Sequence, residues 1–263
     1  SSVAAALLQA AGHEVVGVTM RLWGGPSDTG CCSVSEVDDA RRVAHRLGID
    51  HHVFNFAEEF DRDVVEPYVE AHAAGRTPNP CVECNRSLKF GKLLQRADAL
   101  GQSYVLSPLT QTELGRTLLP VGELTKADVR RIAAELGLPT AAKPDSQDVC
   151  FITRSEGRGA FLAARSDLHP GEVVDVSGSV VGEVAAVELV TIGQRKGLDL
   201  AGGAGRRYVV DVDVPRRRVT VGEATDLLVD SQPVVDVVWP ADPVTGPVDV
   251  QCSAHGAAVP ATF

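Results

Sequence analysis

The sequence has no long apolar run, no excess of positive charge and no regular cysteine spacing. No hydrophobic stretch approaches the roughly 20 residues that a membrane-spanning helix needs, so we expect no membrane partner. The chain also opens without the basic segment of a signal peptide. With 263 residues, 44% of them hydrophobic, we predict a cytoplasmic globular protein of roughly two domains.

The charge balance is acidic but uneven. The net charge is −10, and the sequence pI is about 5.2. This balance argues against broad non-specific binding of nucleic acid, which depends on neutralising phosphates. Residues 205–218 nevertheless contain five arginines and two aspartates. The sequence is therefore compatible with a local basic surface on an acidic protein.

The cysteines do not form a disulfide framework. A chain of this length does not need disulfides for stability, and the spacings differ from those of small secreted scaffolds. We interpret them as reduced thiols with catalytic, redox or metal-binding roles. The six are Cys31, Cys32, Cys81, Cys84, Cys150 and Cys252.

The first half of the chain alternates helical and strand patterns, which predicts a parallel α/β sheet. Thr125 and Asp128 have capping-box spacing at the start of one predicted helix. From about residue 169 short alternating strands predict a second, antiparallel β domain. The predicted helices are 1–11, 35–47, 57–74 and 125–136. The predicted strands are 13–20, 51–56, 172–176, 180–189, 206–214, 216–223, 234–239 and 248–256.

Residues 77–90 stand out from this background. Two prolines stiffen a loop, a C-x-x-C pair follows, and an amphipathic helix is predicted to begin after Cys84. A cysteine at the start of a helix lies at the positive end of the helix dipole, which lowers its pKa. We therefore expect this stretch to present a reactive sulfur.

The local pattern leaves three interpretations of Cys81 and Cys84: a reactive thiol, half of a zinc site, or ordinary half-buried cysteines. Cys31 and Cys32 are poor candidates for completing a zinc site, because they are adjacent. Cys150 lies among apolar residues, as a core cysteine does; a Cys150 close to Cys84 in space would allow sulfur transfer and a disulfide.

The basic residues of the second half also leave two interpretations. Residues 193–197 (GQRKG) predict either a solvated turn or a phosphate-contacting loop. The arginines at 206–207 and 216–218 are either exposed strand and turn charges or parts of one basic stripe.

Several segments together resemble the bacterial tRNA-specific 2-thiouridylase family of PP-loop ATP pyrophosphatases. They occur in family order over nearly all of the chain. The matching segments are Ser1–Val3, Gly75–Pro80, Cys84-Asn85, Lys89-Phe90, Pro120–Leu124, Lys143–Ile152, Gly193–Leu198 and Tyr208–Val210.

The resemblance implies an ATP-dependent sulfurtransferase that 2-thiolates the wobble uridine of tRNA, with Mg²⁺ on the ATP phosphates. It implies that Cys150 carries a persulfide and that Cys84 is the nucleophile that releases its sulfur. The implied partners are a tRNA anticodon stem-loop and a sulfur donor protein or cysteine desulfurase. Further implied contacts are Ser1 and the Met20 backbone with ATP, Asn79, Pro80 and Cys81 with the target base, and Gln102 with tRNA.

The chain departs from the family pattern in two places. Only Ser1 and Ser2 remain of the glycine-rich phosphate loop, and the resemblance implies a missing segment between Gly101 and Gln102. Cys81 stands where some members have aspartate, which leaves its role open.

The resemblance also implies three domains. They are a Rossmann-like ATP-pyrophosphatase domain at 1–153, a β-rich tRNA-binding domain at 154–223 and the start of a C-terminal β-barrel at 224–263. Two other functions stay open at this point. One is a different PP-loop ATP pyrophosphatase, such as an amidotransferase-type synthetase. The other is a non-catalytic, zinc-stabilised RNA-binding module.

Overall fold

The structure is a computed structural model, and its description covers most of the chain in separate stretches. The described residues are 1–22, 34–92, 115, 118–143, 149–152, 157–200, 206–234, 237, 239, 242–250 and 258–263. No helix in these stretches is long and apolar enough to span a bilayer.

Two parallel strands lie at the centre of the N-terminal part. Strand β1 (Val16–Arg21) follows helix α1 (Ser2–Ala10), and strand β2 (Asp50–Asn55) follows helix α2 (Val34–Leu47). The strands pair in parallel, with Met20 opposite Phe54. The predicted α/β arrangement is confirmed for this part of the chain.

A single helix was predicted over residues 57–74, and the structure interrupts it with a π-helical turn. Helix α3 (Ala57–Phe60) runs into the π turn (Asp61–Val65) and then into helix α4 (Glu66–Ala73). The wider turn carries Val64 and Val65, both almost completely buried. A π turn shifts the angular position of the residues after it, and periodicity over a short window does not reveal such a shift.

Three further helices follow. Helix α5 (Pro80–Cys84) continues directly into a π-helix (Asn85–Lys92). Helix α6 (Lys126–Glu135) begins at the predicted N-cap, where Thr125 and Asp128 form a capping box. Helix α7 (Gly157–Ala163) precedes the β-rich part.

The β-rich part is a five-stranded sheet in the order β5-β4-β3-β7-β6. It was predicted to be antiparallel, but β3 and β7 pair in parallel, so the sheet is mixed. Alternation of apolar residues is the same in either orientation of neighbouring strands, which explains the error. Its strands are β3 (Gly171–Asp175), β4 (Val180–Val184), β5 (Asp199–Leu200), β6 (Tyr208–Asp213) and β7 (Arg218–Gly222).

The predicted strand 180–189 is also shorter than expected. It ends at Val184, and Val187–Leu189 forms a 3₁₀ turn; a second 3₁₀ turn covers Ala224–Leu227. Near the end of the chain, strands β8 (Pro247–Val250) and β9 (Val259–Thr262) pair antiparallel. Parts of the predicted strands 234–239 and 248–256 lie outside the described residues. Within the described stretches no sheet closes into a barrel.

Three separate apolar clusters stabilise these units. The first, which we call the aromatic core, is Leu22, Phe56, Phe60, Val64, Val65, Tyr68, Cys84, Leu88, Phe151, Phe161 and Leu162. The second lies in the mixed sheet around Val173, Val209 and Val219. The third joins α1, α2 and α6 through Val3, Val43 and Ala133.

Candidate functional site

The loop that leads to the C-x-x-C pair begins at Gly75 and ends at a helix N-terminus. Gly75 has φ of 73°, a left-handed conformation that glycine adopts without steric cost. Asn79 is the N-cap of α5, and its side-chain oxygen accepts a hydrogen bond from the Cys81 amide at 3.0 Å. Pro80 occupies the first helical position, where a missing N–H has no consequence.

The helix therefore starts at Pro80, five residues earlier than the predicted start after Cys84. Cys81 lies in its first turn and is exposed, whereas Cys84 lies one turn further along and is 5% exposed. The prediction that places Cys84 at the start of a helix is wrong in this respect. The first-turn dipole acts mainly on Cys81, and the surroundings of Cys84 are set by apolar packing.

Cys84 and Cys150 both pack into or against the aromatic core. Cys84 is one of its buried members, and Cys150, which is half-buried, packs against the same cluster. They lie 66 positions apart in sequence, and no local pattern indicated that they share this cluster. The structure thus brings the two predicted sulfur residues to one apolar region.

Phe151 anchors the second cysteine segment in this region. Its ring centroid lies 5.6 Å from that of Phe60, 5.4 Å from that of Tyr68 and 5.1 Å from that of Phe161. Aromatic contacts in such geometries contribute beyond their buried area. Because Phe151 directly follows Cys150, this packing restricts where the Cys150 sulfur lies.

A cavity of about 280 Å³ opens beside the N-terminus of α1. Ser1 is the N-cap of α1 but makes no side-chain capping bond, so amide groups of the first turn keep hydrogen-bonding capacity. Three basic side chains also line the cavity, from Lys126, Arg130 and Lys143. Glu36 and Asp39 also line the cavity, and its amides and basic side chains are the groups suited to an anionic ligand.

An ion cluster at this cavity was not predicted from the sequence. The Nζ atom of Lys143 lies 2.7 Å from Glu36 Oε1 and 2.6 Å from Asp39 Oδ2. Burial alone would lower the pKa of Lys143, but the hydrogen bonds to Asp39 and Glu36 outweigh it and raise that pKa. The same bond lowers the pKa of Asp39. The i,i+3 spacing of the two acids on α2 was the available signal.

The two residues predicted to contact ATP lie in different surroundings. Ser1 lines the cavity, whereas Met20 does not; the Met20 side chain is half-buried against the aromatic core. Asn79 and Cys81 are exposed and adjacent on α5, and Pro80 between them is buried. Gln102, Cys31, Cys32 and Cys252 lie outside the described residues.

The predicted basic loop is held by one glutamine. The Gln194 side chain accepts a hydrogen bond from the Thr191 amide at 3.1 Å and donates one to the Lys196 carbonyl oxygen at 2.8 Å. Both bonds fix the loop, while Arg195 and Lys196 are exposed. In the described stretches no three His, Cys, Asp or Glu side chains group as metal ligands.

Comparisons with known proteins agree with this architecture. A family model described as "tRNA methyl transferase HUP domain" matches residues 1–102 and 98–154. A second model, "tRNA methyl transferase PRC-barrel domain", matches residues 159–223. The two matches of the first model overlap at 98–102, and the family resemblance implies a missing segment between Gly101 and Gln102.

Curated relatives cover nearly the whole chain. A tRNA-specific 2-thiouridylase of Mycobacteroides abscessus is 45% identical over 298 residues, which covers 99% of this chain and 83% of the relative. A relative of the same name from Moorella thermoacetica is 43% identical and covers 86% of this chain and 74% of its own length. Another from Salinispora arenicola is 43% identical, with coverage of 100% and 83%.

Proposed function

The chain belongs to the tRNA-specific 2-thiouridylase family, and on that premise we propose that it is an ATP-dependent sulfurtransferase acting on the wobble uridine of tRNA. The observation that carries the proposal is that Cys84 and Cys150, far apart in sequence, pack at the same aromatic core. One thiol stores a sulfur atom and the other releases it. Sulfur transfer needs both thiols at one place.

The names of the family models and of the curated relatives imply transfer of different chemical groups to tRNA. The family models are described as methyl transferases, whereas the curated relatives are named thiouridylases. The paired cysteines favour sulfur, because a thiol pair can carry sulfane sulfur and reduce it. We therefore propose uridine 2-thiolation, with tRNA as the macromolecular substrate.

The proposed reaction begins with activation of the base. The uracil O2 attacks the α-phosphorus of ATP, pyrophosphate leaves, and O2 then departs as part of AMP rather than as oxide. The cavity beside Ser1, with its amides and basic side chains, is the proposed place of the ATP phosphates. We propose that Mg²⁺ enters bound to those phosphates, whose oxygen atoms are the ligands that it prefers.

In the second stage, the two cysteines together release the sulfur atom. The Cys84 thiolate attacks the Cys150 sulfur of the persulfide, forms a Cys84–Cys150 disulfide and expels hydrosulfide. Hydrosulfide attacks C2 of the activated uridine, and AMP leaves. The two electrons that reduce the sulfane sulfur come from the thiols, so each further turnover needs a thiol reductant. A sulfur donor protein or cysteine desulfurase reloads Cys150.

The proposed division of labour follows the predicted domains. Residues 1–153 carry the nucleotide and sulfur chemistry, residues 154–223 bind the anticodon stem-loop, and residues 224–263 begin a β-barrel. We propose that Asn79, Pro80 and Cys81 line the place of the target base and that Gln102 contacts tRNA. The proposed compartment is the cytoplasm, where thiols stay reduced.

The test is mass spectrometry of nucleosides from an unmodified tRNA incubated with the protein, ATP and a sulfide or persulfide source. We expect 2-thiouridine with the parent protein and with Cys252→Ser. We expect none with Cys84→Ser or Cys150→Ser when the persulfide donor is used. Near-normal thiolation by Cys150→Ser would refute its persulfide role, and AMP release without thiouridine would favour another ATP pyrophosphatase.

A further inference from the structure

We propose that Arg217, at the tip of the β6–β7 hairpin, binds a backbone phosphate of the tRNA beside the loop that leads to the cysteines. The inference rests on the proposed function, because it takes tRNA as the ligand. It selects one arginine from the five between residues 205 and 218. Its grounds are the backbone at this residue, the charges around it and its position in the fold.

The backbone at Arg217 has a conformation that suits glycine. Its amide donates to the Val214 carbonyl oxygen at 2.9 Å, which closes a four-residue turn. Its φ is 51°, and no other non-glycine residue in the described stretches has a positive φ. Gly or Asn is the usual residue at such a position. An arginine at this position carries a conformational cost, which indicates that its side chain has a function.

A hydrogen bond from strand β3 also fixes the backbone of Arg217. The Arg217 carbonyl oxygen accepts a hydrogen bond from the Glu172 amide on β3 at 3.0 Å. A side chain on Gly171 would collide with that same oxygen. The guanidinium therefore extends from a fixed backbone, which reduces the entropy lost when it binds a ligand.

The neighbouring arginines already have acidic partners. Arg216 lies 2.7 Å from Asp213, whose carboxylate also accepts the Arg216 amide at 3.0 Å. Arg218 lies 3.7 Å from Glu172. Arg217 is exposed and makes no ion pair with any residue that the structure describes. Of these three arginines, Arg217 thus has the charge most available to an anion.

The hairpin tip lies next to the cysteine loop. A side chain built on Gly75 would come within 3.1 Å of Val214 Cγ2 and 3.4 Å of the Val212 carbonyl oxygen. Gly75 begins the loop that ends at the Asn79 cap and Cys81. A phosphate held at Arg217 would therefore lie on the hairpin whose Val212 and Val214 approach the start of the loop that leads to Cys81.

A phosphodiester fits this arginine chemically. The guanidinium fork donates two parallel hydrogen bonds to phosphate oxygens, which the point charge of lysine does not reproduce. Each phosphate contact adds about one unit to the slope of log affinity against log salt concentration. Arg217 should consequently affect affinity for any RNA of this shape, and not the choice of base.

The test compares the full-length parent with Arg217→Gly, using an unmodified tRNA with a wobble uridine. Glycine removes the guanidinium and suits the turn, so the variant should unfold at the same temperature as the parent or higher. We expect roughly tenfold weaker tRNA binding and a log–log salt slope shallower by about 1. Arg217→Lys should recover only part of the affinity.

Arg131→Gln is the matched control, because it removes one exposed positive charge that is paired with Glu135 on a different element, α6. It should bind tRNA as the parent does. This inference would be overturned if Arg217→Gly bound tRNA with the affinity and salt slope of the parent. The proposed function would still stand if the parent thiolates tRNA. Absence of tRNA binding by the parent itself would instead overturn the proposed function, and this inference with it.

Discussion

The His72 ring donates a hydrogen bond from Nδ1 to the backbone carbonyl oxygen of Glu188, with 3.2 Å between the two atoms. This bond joins α4 to the β-rich part of the chain. The Glu188 carboxylate in turn accepts hydrogen bonds from the amide of His169 at 3.0 Å and from its Nδ1 at 2.8 Å. Since α4 leads directly to Gly75, these bonds connect the β-rich part to the cysteine loop.

His72→Phe should lower the free energy of unfolding by about 1–3 kcal/mol. His72 is 2% exposed, and phenylalanine would keep a ring but leave the Glu188 carbonyl oxygen unsatisfied. Urea unfolding measures the change. Glu70→Gln, an exposed substitution on the same helix, should stay within about 0.5 kcal/mol of the parent. Equal stability of parent and His72→Phe would show that the bond contributes nothing.

The same histidine should make stability depend on pH. Burial lowers the pKa of His72, an effect that its bond to Glu188 opposes without cancelling. The unfolded chain therefore takes up a proton near pH 6.5, where folded His72 stays neutral. This contribution to stability is complete above about pH 6.5 and declines as the pH falls through the lower folded pKa, by at most about 1.4 kcal/mol per pH unit.

Unfolding free energies of the parent and of His72→Phe between pH 7.5 and 5.5 measure this effect. The difference between the two proteins should shrink as the pH falls. A constant difference over this range would show that His72 takes up its proton equally in both states.

Two substitutions of Asn79 should separate its contribution to stability from its contribution to RNA binding. Asn79→Ala removes the side chain that caps α5 and should cost about 1 kcal/mol. Asn79→Asp keeps a capping oxygen and should match the parent in thermal unfolding, yet it adds a negative charge beside the proposed target base. We expect Asn79→Asp to bind tRNA more weakly in a filter-binding assay. Parent-like binding by Asn79→Asp would place the target base elsewhere.

The sequence revealed most local elements of the first half, because their signals are local. The Thr125–Asp128 capping box and the alternation of helices and strands both appear as predicted. The start of α5 was misread although Asn79 and Pro80 are favoured N-cap and first-turn residues. Pro80 belongs to the helix rather than to the predicted stiff loop, so the cysteine at the helix start is Cys81.

Contacts between residues far apart in sequence could not be predicted from local sequence patterns. The parallel contact of β3 with β7 joins strands far apart in sequence, with the same alternation that an antiparallel pair has. The Lys143 contacts with Glu36 and Asp39 likewise join segments about a hundred residues apart. For the site, Cys84 and Cys150 were named through family resemblance, and spacing alone left them as separate cysteines.

Phe151 should position Cys150 as well as stabilise the core. Phe151→Leu and Phe161→Leu each reduce a buried ring in the same cluster, and each should cost about 1 kcal/mol of stability. Only Phe151→Leu should also slow formation of a Cys84–Cys150 disulfide by a mild oxidant, followed by peptide mass spectrometry. Equal disulfide rates in the two variants would assign Phe151 a purely structural role.

Above all, we predict that Cys84 displaces one sulfur atom from the Cys150 persulfide in each turnover and leaves a Cys84–Cys150 disulfide. The most direct measurement is a single-turnover reaction of persulfide-loaded protein with ATP and tRNA, without reductant. It is quenched with an alkylating agent, and nucleosides and peptides are analysed by mass spectrometry. We predict one Cys84–Cys150 disulfide-linked peptide for each 2-thiouridine formed. Formation of 2-thiouridine with both cysteines fully alkylated would contradict the account.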